Sequence, residues 1–173
     1  VDGSPTMGDA FFGNAWHTML VGGLNKGGQG IYVLDVTDPD QDQPKNMYKW
    51  EFTDVNDADL GYTFSRPAII KVRDGTDTMW VAVFGNGYNN TEDDTAAGGQ
   101  KSSNGYAALY FVNLGTGALY RKIEIPVGTE EDPLGFKRPN GLGTPALVDL
   151  NGDTVVDYAY AGDLFGNLWK FDL

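Results

Sequence analysis

The chain has 173 residues, 41% of them hydrophobic and 13% aromatic, enough for one sizeable core and too apolar for a disordered polymer. Twelve basic against twenty-four acidic residues leave a net charge of −12, which argues against nucleic acid or other polyanions as partners. Cysteine is absent, which excludes disulfides, zinc–thiolate sites and thiol chemistry.

Taken in order, the chain reads as three like sets of strands. A proline precedes an apolar run in Gly3-Ser4-Pro5-Thr6-Met7, in Ser65-Arg66-Pro67-Ala68-Ile69 and in Gly143-Thr144-Pro145-Ala146-Leu147. Proline is tolerated at the first residue of a strand, where no ladder donor is needed, so each proline marks a strand start. A second strand follows each, from Trp16, Trp80 and Asp157, and most of these end on glycine-rich turns. A third begins at Gly30, Ala107 and Asn167, and a fourth occurs twice, from Tyr48 and Ala118. No segment carries a helical period.

Four-strand units repeated along a chain with glycine and aromatic punctuation predict an all-β fold, a β-propeller. About two and three-quarter blades are present, as units of about 1–62, 63–140 and 141–173. A β-sandwich would not explain three like sets. Val81 to Phe84 are apolar on both faces, as expected of a strand between two neighbouring blades.

No apolar run reaches the roughly 18 residues of a membrane span, and the start at Val1 lacks a signal-peptide pattern, so no direct membrane insertion is expected. Both ends fall inside apparent strands. The chain therefore reads as a piece of a longer polypeptide that supplies the remaining blades and any targeting signal.

The most chemically specific run is DLNGDTVVD, from Asp149 to Asp157. Asp149, Asn151, Asp153 and Asp157 take positions 1, 3, 5 and 9 of a calcium loop, with Val155 offering its carbonyl at position 7. That all-oxygen set suits a hard cation, and three facing carboxylates repel until one is bound. One Ca²⁺ site is expected. Position 6 is Thr154 rather than Gly and position 12 is Tyr160 rather than a bidentate Glu, so the expected dissociation constant is on the order of 10⁻⁴ to 10⁻³ M. The plainer alternative is a polar turn between two strands.

Other candidates read as structural. His17, the sole histidine, has no visible catalytic partners. Asp54, Asn56, Asp57 and Asp59 miss the calcium spacing and read as a solvated turn. The polar stretch from Gly85 to Gly105 lacks periodicity and reads as mobile and exposed, with Glu92, Asp93 and Asp94 as solubilising charge. Trp16, Trp50, Trp80 and Trp169 read as inter-blade packing.

Three stretches, GNAWHTMLVGGLNKGGQGIYVLDVTDP, DLGYTFSRPAIIKV with WVAVFGNGYN, and GLGTPALVDLNGDTVVDYAYAGDLFGNLWKFDL, resemble the β-propeller of the PilC/PilY family of type IV pilus biogenesis proteins and tip adhesins. The resemblance implies a secreted protein of the bacterial surface and pilus tip. It also implies minor pilins and a host or abiotic surface as partners, with roles in pilus extension versus retraction, adhesion and twitching motility. It places the family's calcium loop on Asp149, Asn151, Asp153, Val155 and Asp157. No enzymatic activity is expected. The alternative, a fragment of a quinoprotein dehydrogenase propeller of the pyrroloquinoline-quinone type, lacks a convergent acid, base and cofactor clamp. An integrin-like propeller would carry the loop in successive blades, whereas only one loop is complete here.

Overall fold

The structure is a computed structural model, and it describes residues 2–93 and 98–173. Asp94, read above as solubilising charge, lies outside the described residues. Among the described residues eleven strands form three antiparallel sheets in which each strand pairs with its sequence neighbour. Sheet one holds β1 (Thr6–Phe12), β2 (Ala15–Gly23), β3 (Gly30–Asp35) and β4 (Tyr48–Thr53). Sheet two holds β5 (Ala68–Asp74), β6 (Asp77–Gly85), β7 (Ala107–Asn113) and β8 (Leu119–Ile125). Sheet three holds β9 (Ala146–Val148), β10 (Tyr158–Gly162) and β11 (Leu168–Asp172).

Pro5, Pro67 and Pro145 each stand immediately before a strand, so the missing N–H costs no ladder bond. The correspondence between sheets extends to a register shift, which falls between Val33 and Leu34 in one and between Phe111 and Val112 in the other. Among the described residues the departures from the all-strand expectation are an α-helical turn, Pro44–Met47, started by a proline at its first turn and ended where β4 begins, and 3₁₀ turns at Asn25–Gly27 and Thr129–Glu131.

Alternation of side chains explains the continuous apolar runs of β6 and β7. Ala82, Phe84, Ala108, Tyr110 and Val112 pack toward sheet one, against Met19, Val21, Ile31, Val33, Trp50 and Phe52. Val81, Val83, Leu109 and Phe111 point the other way and join Ile70, Val72, Ala159, Ala161 and Phe171 of sheets two and three. Sheet two is therefore buried on both faces. Phe52 sits 5.6 Å from Tyr110 and 6.2 Å from Phe84, ring centre to ring centre, tying the first two sheets through aromatic contacts.

The antiparallel order sends alternate connections to opposite ends of the sheets. At one end lie the β1–β2, β5–β6 and β9–β10 turns; at the other lie the β2–β3 and β6–β7 connections and the crossings between sheets. The crossing end is where backbone meets backbone. Gly87 has φ +75°, and a Cβ on it would collide with the Tyr62 carbonyl; a Cβ on Gly141 would collide with the carbonyl of Gly87. Only glycine lets these segments lie so close.

Side-chain amides and hydroxyls complete the crossing end. Asn86, fully buried, donates to the carbonyls of Asp59 and Tyr106 and accepts from the amides of Ala108 and Leu142, so one side chain joins sheet two to both flanking connections. Thr63 accepts from the Leu24 amide and donates to the Gly30 carbonyl. Asn140 does likewise for sheet three, accepting from Gly141 and Leu164 and donating to Val127 and Asp163.

Within the Gly85 to Gly105 stretch, expected to be exposed throughout, the described residues Asn86, Asn90 and Ser102 are buried. Gln100 donates its amide to Asp54, Ser102 its hydroxyl to Asp59, and Asn90 its side-chain amide to the carbonyls of Asp59 and Tyr106. Asn90, Gln100 and Ser102 hold these parts of the stretch against sheet one's exit.

Candidate metal centre

Two sheets make the β1–β2 and β5–β6 turns with two residues. Phe12 and Ala15 are paired across Gly13 (φ +59°) and Asn14 (φ +64°), the left-handed pair of a primed hairpin turn. Asp74 and Asp77 close the second. In sheet three the same position holds nine residues, 149–157, between β9 and β10. The loop is therefore an insertion at a point where the fold itself requires only a tight turn.

The loop is wound by its own side chains. Asp149 accepts from the amides of Gly152 and Thr154, at 2.7 and 2.8 Å; Asn151 accepts from Asp153, Asp153 from Val155, and Asp157 from Leu150, each at 2.8 Å. Gly152 and Thr154 both take positive φ, +77° and +70°. Thr154 thus adopts the left-handed conformation for which glycine is favoured at the sixth position, and a β-branched residue does so only under strain. Tyr160, at position 12, is paired in β10 with Lys170 and Ala146 and stands in the ladder rather than in the loop.

One end of the loop is fastened to sheet two. Val155 is buried, Val156 packs into the core between sheets two and three, and the Val156 amide donates to the Lys71 carbonyl of β5 at 3.0 Å. The Arg73 guanidinium of β5 reaches Asp153 at 2.6 Å. The amide of Val155 holds the Asp153 carboxyl below its usual value; burial opposes this, and Arg73 and Asn151 add to the lowering.

Among the described residues no three carboxylate or imidazole side chains converge on one point as a ready metal cage. The five residues of the expected site do occupy one loop, but side-chain oxygens of Asp149, Asn151, Asp153 and Asp157 are turned toward loop amides and Arg73. The donor set still fits calcium: every donor is oxygen, and the ring of amides already curves the chain around the carboxylates. In the metal-free loop Arg73 offsets one of the three negative charges of Asp149, Asp153 and Asp157.

Arg73 was invisible in the spacing of the loop because it lies eighty residues away from Asp153. The available signal was positional. The KVRDGTDT run occupies the corresponding turn of the neighbouring unit, and corresponding turns of adjacent sheets lie side by side.

The second acidic group differs from the solvated turn expected of it. Lys122 of β8, 15% exposed, reaches Asp57 at 2.8 Å, Asp59 at 2.6 Å and Glu124 at 2.9 Å. Tyr110 donates its hydroxyl to Asp57 at 2.8 Å, and Asp54 is buried under Gln100. Burial alone would lower the Lys122 pKa, but the three carboxylates outweigh it and raise it. This cluster already holds its cation. His17 is structural: it bonds Asp35 through Nδ1 at 2.8 Å and stacks on Phe12 at 4.2 Å. Of the tryptophans, Trp50 is buried with Nε1 donating to the Leu114 carbonyl, Trp80 and Trp169 pack against the cores, and Trp16 departs from the packing role at 63% exposed.

Repeated four-stranded meanders stacked face to face, with their backbones touching at one end, define this chain as part of a β-propeller. It belongs to the PilY1 beta-propeller domain family, whose profile matches residues 1–173. It is 45% identical over its whole length to the type IV pilus biogenesis factor PilY1 of Pseudomonas aeruginosa PAO1, covering 13% of that protein. A PilY1 homolog of Xylella fastidiosa is 43% identical, again over all of this chain and 11% of the relative. The crystal structure of the P. aeruginosa PilY1 C-terminal domain superposes with a TM-score of 0.78 at 44% identity, with this chain covering 30% of it. The chain thus spans about one eighth of the length of the full relatives it matches.

Proposed function

We propose that this chain is a calcium-binding propeller segment of a type IV pilus biogenesis factor, with blades at about 1–62, 63–140 and 141–173. It works at the bacterial surface and pilus tip, beside minor pilins and the remaining blades of its parent polypeptide. The pilus assignment rests on kinship with proteins named for that role. The calcium assignment rests on one observation: nine residues bearing oxygen donors replace a two-residue turn and are anchored to the neighbouring sheet through Val156.

Asp149, Asn151, Asp153 and Asp157, with the Val155 carbonyl, would hold the ion. Calcium would supply charge neutralisation and a common anchor for these oxygens. The chain's own residues do the mechanical part. Val156 is seated against sheet two, so stiffening the loop would stiffen the joint between the second and third sheets. Weak affinity makes this joint responsive to external calcium, which is how the segment would bias pilus extension against retraction, and with it adhesion and twitching.

The test is a calorimetric calcium titration of chelator-treated protein beside Asp153→Ala, with thermal melting of the same samples. One saturable site that the substitution abolishes supports the reading. Absence of both heat and a calcium-dependent melting shift in the wild type returns the loop to a polar turn. Twitching assays of a strain carrying Asp153→Ala then separate a regulatory ion from a purely structural one.

A further inference from the structure

Loop 149–157 touches β5 at two points of different character. The first is the backbone bond from the Val156 amide to the Lys71 carbonyl, flanked by the buried Val155. The second is the ion pair of Arg73 and Asp153, whose side chains are 55% and 38% exposed. Backbone and core contacts hold whatever the solvent contains. A half-exposed ion pair is worth little, is weakened by salt, and opens readily.

The two oxygens of Asp153 are both engaged. Oδ1 accepts from the Val155 amide at 2.8 Å, and Oδ2 takes the Arg73 guanidinium at 2.6 Å. The Val155 bond is part of the winding of the loop and would be kept. Oδ2 is the oxygen available to a metal ion, and Arg73 stands on it.

We infer that Arg73 is an internal competitor of calcium: its guanidinium occupies Asp153 when the loop is metal-free and is expelled into water when the ion binds. This inference rests on the calcium reading above. It adds that the neighbouring sheet sets the affinity of the site and changes when the site fills. Arg73 is well placed to carry that change. Its backbone is fixed by pairing with Thr78 and by the Tyr120 hydroxyl donating to its carbonyl at 3.1 Å, so only the exposed guanidinium needs to move. Each filling of the loop would bare a positive charge at the turn end of sheet two, on a protein of net charge −12.

The contrast with Lys122 supports a displaceable role. That ammonium is 15% exposed, bonds three carboxylates and is a permanent occupant, whereas Arg73 bonds one and is mostly in water.

Calcium titrations of the full-length protein and its Arg73→Gln variant test the inference, with Asp153→Asn as the control that empties the site. Removing the competitor should tighten binding about three- to fivefold at low salt, the range of an exposed ion pair, and the gap should narrow as salt rises. In the wild type, calcium should also speed modification of Arg73 by phenylglyoxal, read by peptide mass spectrometry, and Asp153→Asn should erase that calcium response. Binding by both proteins with equal or weaker affinity in Arg73→Gln overturns the competitor role, the weaker case making Arg73 a support for Asp153. Absence of binding in both overturns the calcium reading itself, a result distinct from the first.

Discussion

Lys122 and Asp59 stand 2.6 Å apart although sixty-three residues separate them, the first in the last strand of sheet two and the second in the connection that leaves sheet one. With Asp57 and Glu124 they gather three carboxylates around one ammonium. Replacing Lys122 by Met removes the shared cation and leaves the carboxylates facing one another. The expected loss is roughly 2–3 kcal/mol, below the ~3–5 kcal/mol of a fully buried pair because Glu124 is half exposed. Thermal denaturation should show a melting point lower by about 4–12 °C.

The same lysine predicts an alkaline limb. Its folded pKa is raised, so its contribution is complete below the unfolded value of about 10.4 and is lost as pH rises through the folded value. Wild-type stability should therefore fall above about pH 10 more steeply than that of Lys122→Met, measured by denaturant titration across pH. Parallel curves would exclude this role.

Asp163 predicts the opposite sign. It accepts from Asn167, Trp169 and Asn140, which together outweigh burial and hold its pKa below the ordinary value. Its contribution is present above the unfolded carboxylate pKa, about 3.9, and is lost as pH falls through the lower folded value. Asp163→Asn should lower stability at pH 7 and flatten the acid limb of the unfolding curve.

Thr154 at φ +70° offers a gain rather than a loss. A non-glycine residue in this region costs about 1–2 kcal/mol, and glycine returns part of that through the greater freedom of its unfolded chain. Thr154→Gly should stabilise the protein by about 0.5–1 kcal/mol in a thermal or denaturant melt. A destabilised variant would show that the Thr154 side chain contributes more than its backbone costs.

Gly141→Ala places a methyl group against the Gly87 carbonyl, where neither backbone can yield without parting sheets two and three. Destabilisation above about 3 kcal/mol is expected, seen as loss of soluble protein or a collapsed melting point. Gly152→Ala is the informative comparison. Its Cβ would meet nothing within 4 Å, so the left-handed backbone alone sets its smaller cost.

Much of this architecture is legible along the chain because it is written in local terms. Prolines before Thr6, Ala68 and Ala146 mark strand starts, and the unbroken apolar run of Val81 to Phe84 announces a strand covered on both faces. The proposed calcium loop is equally local, with all five expected ligands within nine residues. The unread parts are pairings across sheets. Asn90, Gln100 and Ser102 look like an unanchored loop until the Asp54 and Asp59 they bond are placed beside them. Arg73 likewise looks like turn charge, and Trp16 like Trp50, until the neighbouring sheet shows which of them is covered.

The contact of Gly87 with Tyr62 and Gly141 at the crossing end also has a mechanical meaning. Backbones pressed together without side chains between them have no room to slide, so neighbouring sheets are bound there like pages at a spine. The turns at the opposite end, where loop 149–157 meets β5, form the fore-edge, fastened by the Val156–Lys71 bond and the Arg73–Asp153 pair. An ion bound there, as proposed, would act at the full strand length from that spine.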